Sequence, residues 1–387
     1  MKILHCCLAA FYIDNFSYQE NILPKLHKKQ GHEVEIVAST ETYLKNLTLG
    51  YVGASKYKTK DNITISRLPY TKMLPHFIAK KFRVYIGLKD ILKTFKPEII
   101  FLHDCQFLSI VQIKKFAKKN NVKVFVDSHT DFINSGKNWI SKNILHKIIY
   151  KWCAKHIEDV TTKFFGTLPI REDFLEKTYG IDKSKIELLP FGVDDSLFNP
   201  DEKDKIKSKT RNHLGIEKNK FVIVTGGKID ERKNIILLIE AFRQIASTQK
   251  EVILIVFGKP TEEIQNKFQK KIIHSNIIYI DWIPSEEIHK YLLSSDLAFF
   301  PGTHSVLWEQ AVGLGLPCVF QKWDGITHLD IDGNCIFLSD PTIVGIKQTL
   351  LNLIENKSDF KALKLKAEKY GPKFFSYSEI SKRAIGL

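Results

Sequence analysis

Short apolar runs of strand length alternate with segments of helix length along the whole chain of 387 residues. This alternation constrains the fold more than any other feature, because it is typical of parallel sheets covered by helices on both faces. The strands predicted in the first half lie at residues 2–9, 33–38, 63–68, 98–102, 122–127 and 186–189. Those predicted in the second half lie at residues 221–225, 252–257, 277–280, 297–300, 318–320 and 335–338. We therefore predict an α/β fold.

The length of the chain exceeds the size at which one hydrophobic core keeps growing, so two domains of roughly 180–190 residues are expected. Residues 191–195 turn out of a strand, and a charged helix is predicted at 201–220. We place the first doubly wound domain at 1–195 and the second at 196–370. A C-terminal helix at 371–387 is expected to pack back on the first domain. Two such domains facing each other would set the carboxyl ends of both sheets around one cleft.

Several classes of protein are disfavoured. No Gly-x-Gly-x-x-Gly follows the first strand, and residues 14–20 fill that turn instead, which argues against a dinucleotide-binding oxidoreductase. The six cysteines include no Cys-x-x-Cys pair, so we expect no disulfide framework and no zinc site, in keeping with a reducing cytoplasm. The apolar start of the chain is interpreted as a buried strand rather than a signal peptide, and no apolar run reaches membrane-spanning length.

The net charge is +15 and is unevenly distributed, since the first 195 residues hold 31 Lys and Arg against 20 Asp and Glu. Two stretches, residues 72–96 and 137–155, interleave lysines with aromatic and aliphatic residues. Such stretches suit an anionic membrane surface. The alternative is a solvated basic face. Nucleic acid is a third and weaker candidate, because no known reading motif accompanies the charge.

A phosphate-binding turn is predicted at residues 301–317, where a strand runs through Gly, Thr and Ser into a helix before the next strand begins. Free N–H groups and the positive end of a helix dipole can hold an anion there. The alternative is an ordinary strand–turn–helix connection.

Two lysines stand on the loop that opens the second domain. Gly226 and Gly227 end a strand, and Lys228 and Lys233 follow before the helix predicted at 235–242. Fixed cations of this kind stabilise the charge that grows on a departing diphosphate. The alternative is a solvated charged loop.

Four stretches of the chain together resemble the GT-B glycosyltransferases, specifically the large retaining family 4 (group 1) that uses nucleotide-sugar donors. They are Gly-His-Glu-Val at 31–34, Leu-Pro-Phe-Gly-Val-Asp at 189–194 with Phe-Asn-Pro at 198–200, Gly-Lys-Ile at 227–229 through Lys233, and the segment 301–317. The resemblance departs from the family pattern in that segment, which is about three residues short. Gln310 stands at the second of two family glutamates, Glu309 lies beside it, and Thr303, His304 and Ser305 occupy the place of the first.

The resemblance assigns roles to residues along the whole chain. It implies that His129 touches the donor sugar and that Lys228 and Lys233 stabilise the leaving diphosphate. Nucleotide-sugar contacts are expected from Gly227, Thr303, His304, Ser305, Glu309 and Gln310. The first domain would bind the acceptor, for which the candidates are Tyr18, Gln19, Glu20, His103 and Asp104. We expect no cofactor and no metal, since the lysines supply the charge that a cation would.

The expected reaction is transfer of a sugar from a nucleotide-diphosphate sugar, with UDP as the expected nucleotide, to a hydroxyl of a glycan or lipid-linked acceptor. Retention of configuration and a place in cell-surface polysaccharide synthesis follow from the resemblance. The expected location is cytoplasmic, with peripheral docking on the inner face of the membrane. The alternatives are a nucleotide-sugar epimerase, a non-catalytic partner subunit of the same fold, and a nucleic-acid-binding protein.

Overall fold

The computed structural model describes residues 1–14, 16, 18–44, 48–132, 135 and 138–387. The stretches 14–20 and 137–155 named in the sequence analysis include Asn15, Ser17 and Lys137, which lie outside the described residues. The chain divides into two compact units. Unit 1 comprises residues 1–190 together with Ile380–Leu387, and unit 2 comprises Phe191–Glu379.

Unit 1 is built on an eight-stranded sheet in the order β10-β9-β8-β7-β1-β2-β6-β5, with a separate hairpin of β3 and β4. All neighbours in the large sheet pair in parallel except β5, which is antiparallel to β6 at the edge. The strands are β1 (Lys2–Cys7), β2 (Glu33–Ser39), β3 (Glu41–Tyr43), β4 (Leu49–Tyr51), β5 (Ser55–Lys58), β6 (Thr64–Leu68), β7 (Ile99–His103), β8 (Lys123–Ser128), β9 (Thr161–Gly166) and β10 (Ile186–Leu188).

Helices connect these strands and cover the sheet. They are α1 (Gln19–Lys29), α2 (His76–Phe82), α3 (Leu88–Phe95), α4 (Ile110–Asn120), a π-helix at Ser141–Tyr150 that continues into α5 (Lys151–Ile157), and α6 (Pro169–Phe174) followed by a second π-helical stretch at Leu175–Tyr179. Several close on residues with positive φ, such as Asn121 after α4. Asparagine tolerates this left-handed backbone better than most residues and often ends a helix.

Alternation along the central strands separates two environments in unit 1. Leu4 and Cys6 of β1 and Ile100 and Leu102 of β7 point to one side, into an apolar core that includes residues of α3, α4 and α5. The residues between them point the opposite way because side chains alternate with period two along a strand. That opposite side receives His5, which lies against the ring of Phe101.

Unit 2 contains a six-stranded, fully parallel sheet in the order β13-β12-β11-β14-β15-β16. Its strands are β11 (Phe221–Gly226), β12 (Val252–Phe257), β13 (Ile277–Ile280), β14 (Leu297–Phe300), β15 (Cys318–Gln321) and β16 (Cys335–Leu338). The helices are α7 (Lys203–His213), α8 (Ile235–Ala246), α9 (Glu262–Ile272), α10 (Ile288–Leu293), α11 (Leu307–Gly313), α12 (Ile343–Glu355), α13 (Lys357–Phe374) and α14 (Tyr377–Ala384), whose residues from Ile380 onward belong to unit 1.

Both faces of the second sheet are buried under helices. One core joins Ile223 and Leu254 to α8, α9 and α12, and the other joins Val224 and Ile255 to α11. The prediction of doubly wound α/β sheets is confirmed, and every predicted strand is present with ends shifted by at most two residues. The sequence analysis missed the strand β9, the edge strand β5 and the hairpin strands β3 and β4.

All six cysteines are free thiols and buried. Within the described residues, no helix combines the length and the apolar character needed to cross a bilayer.

Candidate active site

The order of strands in unit 2 reverses between β11 and β14, which lie side by side in parallel. Ligands of doubly wound sheets bind beyond the carboxyl ends of the strands at such a reversal. Two loops leave these ends next to each other, residues 227–234 after β11 and residues 301–306 after β14. The lysines and hydroxyls that the sequence predicted for a diphosphate stand on these two loops.

The ammonium group of Lys233 joins the two loops. Its Nζ donates to the carbonyl oxygens of Thr303 at 2.7 Å and His304 at 2.8 Å. An ammonium group carries three N–H donors, so among the described contacts one is left for an anionic ligand. Burial lowers the pKa of Lys233 to about 8, which still leaves most of the group charged at neutral pH.

Gly302 allows this close approach. A Cβ at position 302 would lie 2.3 Å from the carbonyl oxygen of Arg232 and 2.3 Å from the carbonyl carbon of Lys233. These are backbone atoms, so a side chain at 302 would push the two loops apart. The N–H of Thr303 also donates to the carbonyl of Arg232 at 2.9 Å. Glycine at 302 is therefore a condition for Lys233 to reach the turn.

The second predicted lysine, Lys228, is exposed on the same loop. Burial by itself would raise the pKa of the nearby Asp230 carboxyl, but the hydrogen bond and charge of Arg232 lower it, and the charges of Lys233 and Lys228 add to that effect. Both lysines therefore act on one carboxylate. The sequence analysis did not single out Asp230 or Arg232.

Glu309 lies in the first turn of α11 and is fully buried. Its Oε1 accepts hydrogen bonds from Nε2 of His304 at 2.7 Å and from Nε2 of His328 at 3.0 Å. Burial would raise the pKa of this carboxyl, but the charges and hydrogen bonds of the two imidazoles outweigh burial and lower the pKa to about 2. The other carboxylate oxygen, Oε2, is buried and has no hydrogen-bond partner among the described residues, so the ribose contact predicted for Glu309 stays a prediction. Gln310, the other candidate, is half-buried.

The turn before α11 differs from the open helix tip that the sequence predicted. The helix has seven residues and no side-chain cap, and the N–H of Trp308 donates to the carbonyl of Ser305 at 2.9 Å. The anion contact predicted for this turn stays a prediction, and the side-chain hydroxyls of the turn are further candidates to make it. Thr303 and Ser305 line a small cavity together with Thr225 and Lys233.

In unit 1, two of the histidines predicted for the site, His103 and His129, lie around Asp127, near the end of β8. Its Oδ2 accepts a hydrogen bond from Nδ1 of His103 at 2.8 Å, and Nε2 of His129 lies 3.3 Å from its Oδ1. Asp127 and His103 are fully buried, whereas the His129 side chain is 20% exposed. Burial would lower the pKa of His129, but the Asp127 carboxylate, aided by Glu20 and Asp104, raises it to about 9. His129 is therefore a cation at neutral pH.

Asp104 supports His129 from the neighbouring strand end. It adopts a left-handed backbone with φ of 64°, and its Oδ1 accepts from the backbone N–H of His129 at 3.3 Å and from the side-chain amide of Gln106 at 3.2 Å. Burial raises the pKa of the Asp104 carboxyl. The acceptor contacts predicted for His103 and Asp104 do not fit these positions, because both side chains are buried and hydrogen-bonded inside unit 1.

The other predicted acceptor residues lie where α1 begins. Tyr18 is 45% exposed and Glu20 is half-buried, close enough to His129 to raise its pKa. Gln19 is 1% exposed, and neither atom of its amide has a hydrogen-bond partner among the described residues. Buried amides are normally hydrogen-bonded, which makes Gln19 a candidate for binding a polar ligand.

Among the described residues, one group has the composition and spacing of a metal site. It consists of His103, Asp127 and His129, whose potential ligand atoms all lie within 4.8 Å of one another. They do not fit a resident ion, because His103 and Asp127 are sealed from solvent and already joined by a hydrogen bond. Asp330 and Asp332 form an Asp-x-Asp sequence, but both lie exposed after β15.

Family patterns cover most of the chain. The pattern described as Glycosyl transferases group 1 matches residues 206–373, and the one described as Glycosyltransferase Family 4 matches residues 20–197. The chain belongs to the group 1 glycosyltransferases of family 4. The resemblance inferred from the sequence is confirmed.

This glycosyltransferase is 24% identical over 322 residues to the UDP-Gal:alpha-D-GlcNAc-diphosphoundecaprenol alpha-1,3-galactosyltransferase of Escherichia coli. The match covers 79% of this chain and 78% of that protein.

Among solved structures, a glycosyltransferase from Rickettsia africae ESF-5 has a TM-score of 0.67 at 14% identity, covering all of this chain and 98% of that one. Anabaena Alr3699/HepE in complex with UDP also has a TM-score of 0.67 at 14% identity, covering 99% and 98% of the two chains. At this identity the likeness establishes the fold of the glycosyltransferase, which is GT-B.

The sequence analysis missed some polar residues of this glycosyltransferase for different reasons. Asp127 could have been found, because a charged residue near the end of a buried strand, two positions before His129, needs a partner. His328 gave no local signal, since it follows Glu309 by 19 residues and by another strand.

Proposed function

We propose that this glycosyltransferase moves a sugar from a UDP-sugar to a hydroxyl of a glycan or lipid-linked acceptor in cell-surface polysaccharide synthesis, with retention of configuration. The observation that carries the proposal is the position of Lys233, whose ammonium group is fixed on the turn at 303–304 with one donor to spare. The E. coli relative is named for a UDP-Gal donor and a diphosphoundecaprenol-linked acceptor, and the Anabaena neighbour was solved with UDP.

In this proposal the bond between the anomeric carbon and the diphosphate breaks while the acceptor oxygen bonds to the same carbon. The acceptor proton passes to an oxygen of the departing phosphate. Lys233 and Lys228 stabilise the negative charge that grows on the diphosphate, and the Thr303 and Ser305 hydroxyls bind its oxygens. The family resemblance supplies the remaining proposed roles: Glu309 or Gln310 binds the ribose, and the charged His129 contacts the donor sugar.

The acceptor site is proposed at the start of α1. Gln19 offers a buried amide whose donor and acceptor are both unused within the described residues, which suits a hydroxyl that must be held in one orientation. Glu20 and Tyr18 flank it in sequence and are accessible. His103 and Asp104 are left out of this role because their buried side chains, unlike that of Gln19, already have hydrogen-bond partners inside unit 1.

Thermal stabilisation across a panel of nucleotides and nucleotide-sugars tests the proposal. A ligand that binds only the native state stabilises it by about 2.7 kcal/mol at 100 times its Kd. We expect UDP and one UDP-sugar to raise the unfolding midpoint, with GDP and ADP giving much smaller shifts. Absence of a shift with every nucleotide would contradict the proposal, and turnover of donor without acceptor would point to an epimerase.

We also propose that unit 1 docks on an anionic membrane surface. The helical segment from residue 139 to residue 155 exposes an apolar stripe in which Trp139 is 70%, Ile140 60%, Ile148 62% and Trp152 47% exposed. Its neighbours in sequence are the exposed lysines Lys142, Lys147, Lys151 and Lys155.

A second set of exposed apolar side chains lies on an element that contacts this segment. Met73 is 92% and Phe77 69% exposed, on α2 and the loop before it. The hydroxyl of Tyr150 donates to the carbonyl of Lys81 at 3.0 Å, which ties the end of α2 to the segment 139–155. Apolar side chains ringed by lysines suit a bilayer with anionic headgroups, where each cation contributes about 1 kcal/mol.

The double variant Trp139→Ser, Ile148→Ser is expected to lose most of its binding to vesicles that contain anionic lipid, because it removes the two most exposed side chains of the stripe. Co-sedimentation with such vesicles measures this, and binding of the parent protein should also fall steeply with added salt. Trp282→Ser is the matched control, since Trp282 is 67% exposed but lies in unit 2. Equal binding by all three proteins would contradict the docking surface.

A further inference from the structure

A continuous line of hydrogen bonds runs through the interior of unit 1 and contains three imidazoles. Nδ1 of His103 lies 2.8 Å from the Asp127 carboxylate, and Nε2 of His103 lies 3.0 Å from Nδ1 of His5. Nε2 of His5 lies 2.9 Å from Nδ1 of His27, and Nε2 of His27 lies 2.7 Å from the backbone carbonyl of Ser381. All four side chains are fully buried. We call this line the histidine chain.

The fold brings these residues together from five elements. His5 is on β1, His103 on β7 and Asp127 on β8, which are adjacent strands of one sheet. His27 comes from α1, and the carbonyl of Ser381 comes from α14. The rings of His5 and His27 are stacked with centroids 5.1 Å apart, and those of His5 and His103 are stacked at 5.3 Å.

The number of protons in the histidine chain follows from its two ends. A carbonyl oxygen and a carboxylate can only accept, so each of the four links needs one proton supplied by an imidazole. Three neutral imidazoles carry three protons. The chain therefore holds one proton more than its neutral rings supply, and one ring is an imidazolium.

The position of the extra proton follows from charge. Burial, with smaller effects of the neighbouring histidines, lowers the pKa of His5 well below its usual value, and burial lowers the pKa of His27 to about 4. Both rings are therefore neutral. The remaining ring, His103, is the one next to the carboxylate, where the attraction between opposite charges is strongest.

We infer that His5, His27 and His103 are positioning residues: by sharing one proton they keep Asp127 ionised, and Asp127 in turn holds His129 charged and oriented. The second carboxylate oxygen of Asp127 is the one that faces Nε2 of His129 at 3.3 Å. The inference rests on the proposed function for the role of His129 toward the donor sugar, whereas the protonation of the chain does not depend on it.

Nitrogen NMR of the protein labelled with 15N-histidine tests the protonation directly. We expect His5 and His27 to be neutral with the proton on Nε2, and His103 to be protonated on both nitrogens. In Asp127→Asn the side-chain amide can itself donate to Nδ1 of His103, so the fourth proton is no longer needed. His103 should then become neutral with its proton on Nε2, while His5 and His27 keep their tautomers.

The same variant tests positioning. Asp127→Asn should lower kcat for transfer by about 10-fold to 100-fold, the range for a lost hydrogen bond to a charged group. The KM for the donor and the stabilisation by UDP should change little, because the proposed nucleotide contacts lie in unit 2. The matched control is Asp296→Asn, which removes another carboxylate held by two cations, Lys207 and Arg211, in unit 2. It should lower stability without changing the histidine signals.

A neutral His103 in the parent protein, or an imidazolium that persists in Asp127→Asn, would overturn the inference. So would stoichiometric metal in the purified protein, because an ion at Asp127 would displace the shared proton. If UDP stabilises neither the parent nor Asp127→Asn while the NMR result is as expected, the proposed function is wrong. The protonation inferred for the histidine chain is then still supported. A kcat of the Asp127→Asn variant equal to that of the parent would remove the positioning role.

Discussion

Replacement of Lys233 by methionine is expected to lower the rate of sugar transfer by about 10²–10³-fold, the usual cost of losing one fixed group that stabilises charge in a transition state. Methionine keeps much of the length of the side chain but removes the ammonium group. The loss should appear in kcat, because the negative charge on the diphosphate is greatest as the bond to the sugar breaks.

The measurement is steady-state transfer with the UDP-sugar found by thermal stabilisation. Lys233→Met also loses the two bonds to the turn at 303–304, so the unfolding midpoint is followed in parallel. Lys228→Met, at an exposed position with no such bonds among the described contacts, should lower the rate without lowering stability. Lys267→Met, in the exposed part of α9, is the control. A Lys233→Met protein that transfers sugar at the parent rate would refute the assignment, and a parent protein without turnover would indicate a non-catalytic subunit.

Glu309→Gln is expected to cost about 3 kcal/mol of stability at neutral pH, the free energy that corresponds to a pKa lowered from 4.5 to about 2. Because folding lowers the pKa of this carboxyl, the folded protein binds its proton less tightly than the unfolded chain does. The contribution of the carboxylate is therefore complete above pH 4.5 and is lost as the pH falls toward about 2. The difference between the variant and the parent should close over that range.

Thermal unfolding midpoints measured from neutral pH down through this range test the expectation. Glu263→Gln, at an exposed position in the first turn of α9, should follow the parent at every pH. A constant difference between Glu309→Gln and the parent would show that His304 and His328 do not hold the carboxylate in its charged form. Sugar transfer by Glu309→Gln should fall as well, since the hydrogen bond from His304, whose carbonyl accepts from Lys233, would lose the charge of its acceptor.

The sheets were predictable because their strands are apolar runs bounded by polar helices, and such runs have few alternatives to a buried strand. The strand β9 escaped because its first residues, Thr161, Thr162 and Lys163, are polar and it follows a helix without Gly or Pro between them. The edge strand β5 reads Ser-Lys-Tyr-Lys and is mostly exposed, so its sequence carries no apolar signal.

The candidate site likewise has features that the sequence could predict and features that it could not. The proximity of Lys233 to the turn at 303 was predictable, because both follow strands that are neighbours at the reversal of a doubly wound sheet. The burial of Glu309 was not, because it depends on His328 from a later loop. The histidine chain draws residues from positions 5, 27, 103, 127 and 381, and nothing in the local sequence of any one of them indicates the others.

The contribution of Ser381 to unit 1 has a consequence for synthesis on the ribosome. Domains generally fold as units and in order from the N-terminus as the polypeptide emerges. Here residues 1–190 leave the exit tunnel long before the carbonyl that His27 requires, because the whole of unit 2 is translated in between. Until translation reaches α14, Nε2 of His27 lacks the partner that it has in the folded protein, and the histidine chain is completed only then.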